Sequence, residues 1–576
     1  MYSAHCKIKF SMKKTILTFN NQNFSKMKSI KIIVLLFTIV VVGCKKDIKN
    51  QSVNSNDHEG DEKIDIPAPP FYGNNPMPIV LGNQLQNPYT IQNMDLAVAT
   101  LATNGIPSTN PINVRPTHEY IKFEPANTEE LLELTKDESL TFYSYPLDYE
   151  ILEEGSWYRD PEIHIDNQPT FHYASIKKGY PYNHNIRHTI LSELYIPEED
   201  ETLIGTSNKD NLDYLDALLE QAYLQTGNEQ AEKKKRWSWY TPAGNITIFD
   251  TRLNANIPLE GAKVTASRWF TTYNAITDAN GNFSMGDQFK RPCDYKLWFA
   301  RGGFTIGDNW LEPSDVIRNN IHGSWNHNIG LGYENMQGHM FRGAFRYYFQ
   351  NIQGLRRPDR PNGNRTMIVA KNSTPNFGSG INYIVFPVLK VARFRSANVE
   401  YDSDEYFSTT CHELAHTTHV ITMNAGAIQY SQLTNQIRES WPIAVEWLLT
   451  GLEYKSRGIA NYGEWDYHPT SIAHPGVDLQ YPNDRSYQYW NTTVDADYTS
   501  LFINLVDNIN ESTINYGTAM NPQPGITDPV ANYTLSNIED NVLKHSYGLT
   551  SLSQNLKSNR PTGVTDAQID VLLANY

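Results

Sequence analysis

The chain has 576 residues, and 63 acidic against 48 basic side chains give it a formal net charge of −15. An acidic chain without an obvious basic face argues against nucleic acid as a partner. Its four cysteines, Cys6, Cys44, Cys293 and Cys411, are too few and too widely spaced for a disulfide framework. The fold must therefore depend on buried apolar surface, and the chain is long enough to form several cores.

The N-terminal segment has the pattern of a secretion signal. A short basic opening at Met27, which we predict to be the true start, leads into an almost unbroken apolar run from Ile32 to Val42. That run is too short to span a bilayer comfortably but suits the core of a signal peptide. The small residue followed by Cys44 resembles the bacterial lipoprotein box, which implies that Cys44 becomes the lipidated first residue. We therefore predict a signal peptide over 1–43 and a lipid anchor in the outer membrane of a bacterial envelope, with the protein periplasmic or surface-exposed. An uncleaved anchor helix is the alternative.

Two regions follow before any catalytic motif appears. Residues 44–76 are polar and then Pro-rich without an apolar period, which is typical of a disordered tether. Residues 77–236 mix strand patterns, at 118–123 and 141–145, with a helix whose N-cap is predicted at Thr128 and a second helix pattern near 211. We predict an α+β domain without a recognisable catalytic motif, and both a propeptide and a binding module fit it.

Residues 240–308 have the texture of a small all-β module. The segment Pro258–Ala266 predicts a turn and a strand, and Asn280-Gly281 is a strong hairpin signal. The spacing P-L-x-G-A-x-V, followed by T-D-x-N-G-x-F, resembles carboxypeptidase-regulatory-like domains, which are small β-sandwiches of the transthyretin type. The resemblance implies an independently folding structural module that takes no part in chemistry. Another kind of small β-sandwich is the alternative.

The most specific pattern is H-E-x-x-H, formed by His412, Glu413 and His416 within the C-terminal region 325–576. On a helix, predicted here over about 405–421, positions i and i+4 share one face, so both imidazoles can bind a single Zn²⁺. Glu413 lies beside that face and can take a proton from a zinc-bound water. The alternative is a surface helix that carries this pattern by chance.

Catalytic zinc needs a third protein ligand, and three residues are candidates. His419 lies on the same helix, but the sequence lacks the Gly turn that metzincins place before their third His. Glu439 and Glu446 follow His416 by 23 and 30 residues (439 − 416 and 446 − 416). Residue spacing alone leaves the choice among these candidates open.

A family resemblance bears on this choice. The two motifs resemble the gluzincin peptidases, thermolysin and the zinc aminopeptidases, which place a Glu on a second helix. In the aminopeptidases that Glu opens a stretch resembling E-G-F-A-x-Y-x-E, and this chain has E-S-W-P-I-A-V-E from Glu439 to Glu446. Ser440 and Pro442 replace the Gly and the Ala, and Pro is acceptable if it lies in the first helical turn. The resemblance implies that Glu439 is the third ligand and that Glu446 is a supporting or core-facing group, while the departures leave the two Glu open.

Together these features predict a multidomain α+β protein: an N-terminal α+β domain, a small all-β sandwich and a C-terminal zincin-like metallopeptidase domain. The predicted function is a lipid-anchored zinc metallopeptidase that acts on a peptide or protein substrate. One alternative is a cell-surface binding or adhesion lipoprotein with an inactive peptidase-like domain, and another is zinc hydrolysis of a non-peptide bond. An oxyanion donor is also needed, and the candidates are Tyr462, Tyr467, His468, His474, Tyr481 and Tyr487.

Overall fold

The computed structural model describes residues 77–106, 112–155, 157–165, 168–200, 209–228, 237–308, 313–360, 363–373, 388–394, 400–423, 430–460, 462, 492, 497–510, 512 and 526–576. The predicted signal peptide, Cys44 and the predicted tether lie outside these residues. Within the described ranges, no helix has both the length and the apolar character needed to cross a membrane. The described fold is a mixture of helices and several sheets.

The described residues of the N-terminal region form two small antiparallel sheets, three α-helices and a short 3-10 helix at Pro197–Glu199. Its strands are β1 (Val80–Gln84), β2 (His118–Phe123), β3 (Tyr149–Glu153), β4 (His172–Lys177) and β5 (His188–Leu194), and its helices are α1 (Ile91–Thr103), α2 (Thr128–Leu134) and α3 (Lys209–Gln225). Strand β1 pairs with β3, and β2 lies between β4 and β5. Helices α1 and α3 pack together over an apolar cluster that includes Met94, Tyr120 and Leu218.

Two local predictions for this region were wrong. The segment 141–145 is not a strand and forms only an isolated bridge between Tyr143 and Tyr173. The segment 141–145 is rich in strand-forming residues, but a strand also needs a continuous partner, and this segment pairs at only one position. The cap of α2 is Asn127 rather than Thr128, because the Asn127 side chain accepts a hydrogen bond from the backbone N–H of Glu130 at 3.0 Å.

The middle of the chain forms two facing four-stranded sheets. Their strands are β6 (Ala243–Asp250), β7 (Ala255–Pro258), β8 (Lys263–Arg268), β9 (Thr271–Ile276), β10 (Asn282–Ser284), β11 (Cys293–Trp298), β14 (Asp315–Ile321) and β15 (Trp325–Ile329). One sheet has the order β10-β6-β15 with β7 also on β6, and the other has the order β14-β11-β8-β9. Strands β14 and β15 therefore extend this all-β part beyond residue 308, where the sequence placed its end.

The Asn280-Gly281 turn forms, but it does not close a hairpin. Gly281 has φ +78°, and the Asp278 carboxylate accepts hydrogen bonds from the backbone N–H groups of Asn280 and Asn282 at 2.8 Å each. The strands on either side pair elsewhere, β9 with β8 and β10 with β6. The turn thus carries the chain from one sheet to the other, a choice that depends on long-range pairing rather than on turn chemistry.

The C-terminal region combines a mostly parallel sheet with helices. Two short strands lie between β11 and β14 in the chain, namely β12 (Ala300–Arg301) and β13 (Phe304–Gly307). They form a four-stranded sheet with two later strands, β16 (Thr366–Lys371) and β17 (Val388–Ala392). The strand order in this sheet is β12-β13-β16-β17. The helices are α4 (Tyr333–Phe349), α5 (Ser403–Thr422), α6 (Asn435–Ser456), α7 (Ile503–Val506), α8 (Leu549–Ser558) and α9 (Asp566–Leu573). The helix predicted over about 405–421 is confirmed as α5.

The all-β part and the helical part share one apolar core. A single cluster of buried residues includes Ile248 of β6, Phe341 of α4, Leu414 of α5 and Trp441 of α6. The sheet of β13, β16 and β17 is itself covered by α2, where Leu132 packs with Met367 and Val369. We predicted that the β-module folds independently, but its buried residues share a core with the helices. Removing the β-module would therefore expose part of the core beneath α5.

Candidate metal centre

Helix α5 carries the H-E-x-x-H motif and is buried along most of its length. The backbone N–H of Asp402, which precedes the helix, donates to the Glu405 carboxylate at 2.8 Å, one half of a capping arrangement. Helix α4 approaches closely at Gly343, where an added Cβ would lie 2.6 Å from the carbonyl oxygen of Phe407. Helices α4 and α6 therefore hold α5 from two sides, and His412 and His416 are only 2% and 1% exposed.

Helix α6 carries both candidate Glu residues. It begins at Asn435, four residues earlier than expected, so Pro442 lies inside the helix rather than in its first turn. Pro442 has no N–H to donate to the carbonyl of Arg438, four residues before it. The residues around it, from Gln436 to Glu446, are buried, and their packing holds a helix that propensity alone would disfavour.

Three side chains converge between the two helices. His412 Nε2 lies 3.7 Å from Glu439 Oε2, and His416 Nε2 lies 3.3 Å from the same oxygen. All three ligand atoms lie within 4.8 Å of one another, and each residue is buried. Zn–N and Zn–O bonds of normal length in a tetrahedral site place ligand atoms about 3.3 Å apart. The arrangement therefore fits a small divalent cation with few adjustments.

Outer contacts orient each of these groups. His412 Nδ1, the ring nitrogen that faces away from Glu439, lies 3.1 Å from Glu446 Oε2. His416 Nδ1 lies 2.8 Å from the hydroxyl of Tyr430. Arg438 Nε donates to the second oxygen of Glu439 at 3.1 Å. Ligating histidines commonly donate their second N–H to such partners, which fixes the ring and its tautomer.

The electrostatics of the cluster follow from burial and close opposite charge. Burial lowers the pKa of His412, but its close contacts with Glu439 and Glu446 and the charges of Glu446 and Glu413 outweigh it and raise that pKa to about 9. Burial raises the pKa of Glu439, but the charge of His416 and the close contacts with both histidines hold that pKa well below its usual range. A proton on His412 thus balances the Glu439 carboxylate, and a bound cation would replace it.

Glu413 is placed next to this cluster rather than within it. It is 1% exposed, and its charge contributes to the raised pKa of His412. It does not belong to the group of converging ligand atoms. A carboxylate beside a metal position, but outside the ligand set, has the geometry of a proton acceptor for a bound water.

Other candidates from the sequence lie elsewhere. His419 is fully buried, and its ring meets Tyr430 edge-to-face at 5.2 Å, but it is not among the converging ligand atoms. Burial and the charge of His416 lower its pKa to about 3, so His419 is neutral. Tyr462 donates its hydroxyl to Asp404 at 2.7 Å, near the start of α5 and far along the helix from His416. The remaining oxyanion candidates, Tyr467, His468, His474, Tyr481 and Tyr487, lie outside the described residues.

One neighbour of the cluster was missed in the sequence. The ring of Tyr498 lies 6.3 Å from the ring of His412 and nearly parallel to it, with an interplanar angle of 28°. Tyr498 lies before helix α7, which begins at Ile503. No local pattern distinguishes Tyr498 from the other tyrosines, because its position depends on how the segment before α7 crosses α5 and α6.

Comparison with known proteins does not assign a family. No protein-family model matches the chain, and no curated protein matches it. A solved structure of (S)-allantoin synthase is 12% identical with a TM-score of 0.13; the match covers 21% of this chain and half of the other. For 5-hydroxyisourate hydrolase from Klebsiella pneumoniae the identity is 20%, the TM-score 0.11 and the coverage 16% of this chain and 90% of the other. Similarity at this level assigns neither fold nor activity, and it gives no support to the peptidase resemblance.

Proposed function

We propose that this protein is a zinc-dependent metallopeptidase of the gluzincin type, attached to a bacterial envelope through a lipid on Cys44. The observation that carries the proposal is the convergence of His412, His416 and Glu439 in a buried position between two helices. Burying two imidazoles and a carboxylate close together costs folding free energy unless their polar atoms and charge are compensated, and a bound cation would compensate them. The donor set of two nitrogens and one oxygen is the one that catalytic zinc commonly takes, with an open fourth position.

The geometry supports different roles for the two glutamates. Glu439 lies against the Nε2 atoms of both histidines, which is the position of a third ligand. Glu446 lies instead at Nδ1 of His412 and is fully buried, so it would hold that ring and its tautomer. This arrangement favours Glu439 over Glu446 and over His419 as the third ligand.

The chemistry then divides among the residues of α5 and α6. Zinc, when bound, supplies Lewis acidity and lowers the pKa of a water at the open position. Glu413 would accept a proton from the attacking water and deliver it to the leaving amine. Glu446 and Tyr430 keep the two imidazoles in the ligating orientation, and Arg438 holds the far oxygen of Glu439. Tyr498 is the described aromatic residue whose ring lies over His412, which makes it a candidate for contact with substrate.

The test combines metal content with cleavage of a peptide library. The wild type should contain one zinc per chain, His416→Ala should lose it, and Glu413→Gln should keep it while losing cleavage. His327→Ala is a suitable control, because His327 lies on β15 and pairs with Glu334 in the first turn of α4, outside the group of converging ligand atoms. A zinc-containing wild type that cleaves no peptide would favour the binding or adhesion lipoprotein or hydrolysis of another bond. A wild type without stoichiometric zinc would refute the proposal.

A further inference from the structure

A second charged site lies outside the metal centre, in a cleft where three parts of the chain meet. Its walls come from the N-terminal region around Glu138, from the outer face of the β14-β11-β8-β9 sheet and from Arg365. The cleft opens to solvent, and its cavity volume is about 40 Å³. This space is enough for a few water molecules or a small ion rather than for a chain segment.

Strand alternation explains why charged side chains point into this cleft. Tyr295 and Leu297 of β11 face the apolar core between the two sheets. Lys296 and Trp298, one residue on from each, therefore face outward into the cleft. Lys263 of β8 lies beside Trp298, with its Nζ 5.7 Å from the centre of the indole ring. The fold thus places two lysines side by side on a face that the N-terminal region covers.

Two of the cationic groups have carboxylate partners. Lys296 Nζ pairs with Asp315 Oδ2 and lies 3.9 Å from the centre of the Trp298 ring. Arg365 Nη2 lies 3.2 Å from Glu138 Oε1, and that same oxygen also accepts from the backbone N–H of Gly302. Each of the two carboxylates in the cleft lining thus forms its ion pair with a cation other than Lys263.

Lys263 is the third cation of the cleft lining. Its Nζ makes only long contacts with neutral acceptors, the carbonyl of Glu138 at 3.3 Å and the hydroxyl of Thr141 at 3.5 Å. Burial and the positive charges of Arg365, Lys296 and Arg301 outweigh the opposing charge of Glu138 and lower the pKa of Lys263 to about 8. Positive charge therefore exceeds negative charge in the cleft, and an anion would relieve the repulsion.

Buried polar atoms in the cleft also lack hydrogen bonds. Lys296 is 2% exposed, and beyond its ion pair the described residues offer its Nζ no well-directed hydrogen bond. Asp315 is equally buried, and its Oδ1 accepts none from the described part of the chain. Such atoms are costly unless a bound molecule satisfies them. Lys296 Nζ can still donate a hydrogen bond and Asp315 Oδ1 can still accept one. A ligand with both a charged oxygen and a protonated oxygen would satisfy the two atoms.

We propose that this cleft binds a small oxyanion, a carboxylate or phosphate group, between the Lys263 and Lys296 ammonium groups, with a protonated oxygen of the ligand or a bound water facing Asp315. The ligand would contact the N-terminal region, the all-β part and the Arg365 segment at once. Binding should therefore stabilise the full chain, whether or not the metal centre is active.

The test uses amine labelling of the full-length wild type near pH 8, read by peptide mass mapping, with inorganic phosphate or acetate as the probe. Phosphate, acetate or both should slow labelling of Lys263 in a saturable way. Protection by only one of them assigns the ligand as phosphate-bearing or carboxylate-bearing. Lys178 is the internal reference, because its side chain is 47% exposed and pairs with Glu193 away from the cleft. Sodium chloride at matched ionic strength controls for screening.

Thermal unfolding provides an independent readout. The protecting anion should raise the unfolding temperature of the wild type more than that of Lys263→Gln. This variant should fold, because it removes a like charge from beside Lys296 and Arg365. Unchanged Lys263 labelling with both probes, or protection equal to that by chloride, would overturn the proposal. So would an equal thermal shift in the wild type and the variant.

Discussion

Glu446 Oε2 lies 3.1 Å from His412 Nδ1, while Glu439 Oε2 lies 3.7 Å from Nε2 of the same ring. One imidazole is thus held between two carboxylates seven residues apart on α6. Only the carboxylate at Nε2 also reaches His416. The two glutamates, alike in residue type and on one helix face, are therefore expected to respond differently when each is removed.

Removing Glu439 should abolish stoichiometric zinc, because the metal would lose a direct ligand. Removing Glu446 should leave zinc bound but weaken it by about 10- to 100-fold, the usual effect of losing a partner behind a ligating His. Competition of Glu439→Ala and Glu446→Ala against a zinc chelator measures both affinities. If Glu446→Ala loses the metal and Glu439→Ala keeps it, the assigned roles are reversed.

Glu413→Gln should keep zinc and lose catalysis. The substitution preserves size and polarity but removes the oxygen that accepts the proton, so turnover should fall by at least about 100-fold. Metal analysis and steady-state cleavage of a peptide substrate give the two quantities on one preparation. Undiminished hydrolysis would end the metallopeptidase proposal, whereas a loss of zinc would indicate that Glu413 supports the ligands.

The buried carboxylate of Glu453 should make stability depend on acid pH. Burial raises its pKa, but the charges of Arg342, Arg457 and Arg346 outweigh it and lower the pKa to about 2. Its folded pKa is depressed, so its contribution is present above the unfolded pKa near 4.5 and is lost as the pH falls toward 2. The contribution is roughly 3 kcal/mol at neutral pH.

Denaturant unfolding of the wild type and Glu453→Gln at several pH values tests this dependence. The variant should be less stable at neutral pH, and the difference should shrink between about pH 4.5 and pH 2. Because Arg342 also bonds to Asp250 of β6 at 2.9 Å, the loss should be felt across the contact between the all-β part and α6. A difference that stays constant with pH would contradict the depressed pKa.

Gly343→Ala should destabilise the fold beneath the metal centre. The new Cβ would lie 2.6 Å from the Phe407 carbonyl oxygen, and a backbone group on a buried helix cannot move aside cheaply. Overpacking of this kind costs about 1–3 kcal/mol. Gly330→Ala is the matched control, since a Cβ there meets nothing within 4 Å. Equal unfolding midpoints for the two variants would show that α4 can shift away from α5.

Cys44 should carry the lipid anchor. The apolar run and the small residue before Cys44 predict cleavage behind Gly43 and acylation of the cysteine. Intact-mass analysis of the membrane fraction should show a diacyl or triacyl adduct, and Cys44→Ala should release the protein from membranes. A soluble mature protein that begins at another residue would be inconsistent with this prediction.

Local patterns predicted some elements closely and missed others. Strand β2 and helix α5 were predicted to within about two residues at each end, and a long helix such as α5 satisfies its hydrogen bonds within itself. The segment 141–145 has strand-forming residues but pairs with β4 only at Tyr143, and the Asn280-Gly281 turn joins two sheets instead of closing a hairpin. Both outcomes depend on which distant strand is available, and short-range chemistry does not encode that.

The sequence by itself determined the spacing of His412, Glu413 and His416, and helical geometry alone then places both imidazoles on one face of α5. Only the tertiary structure decided which glutamate meets them, since Glu439 and Glu446 lie two turns apart on α6 and differ in their position relative to α5. Tertiary structure also placed Tyr498 over His412 and joined β6 to the helices in one core. Contacts within a helix follow from a fixed period, whereas contacts between elements depend on how buried surfaces pack together.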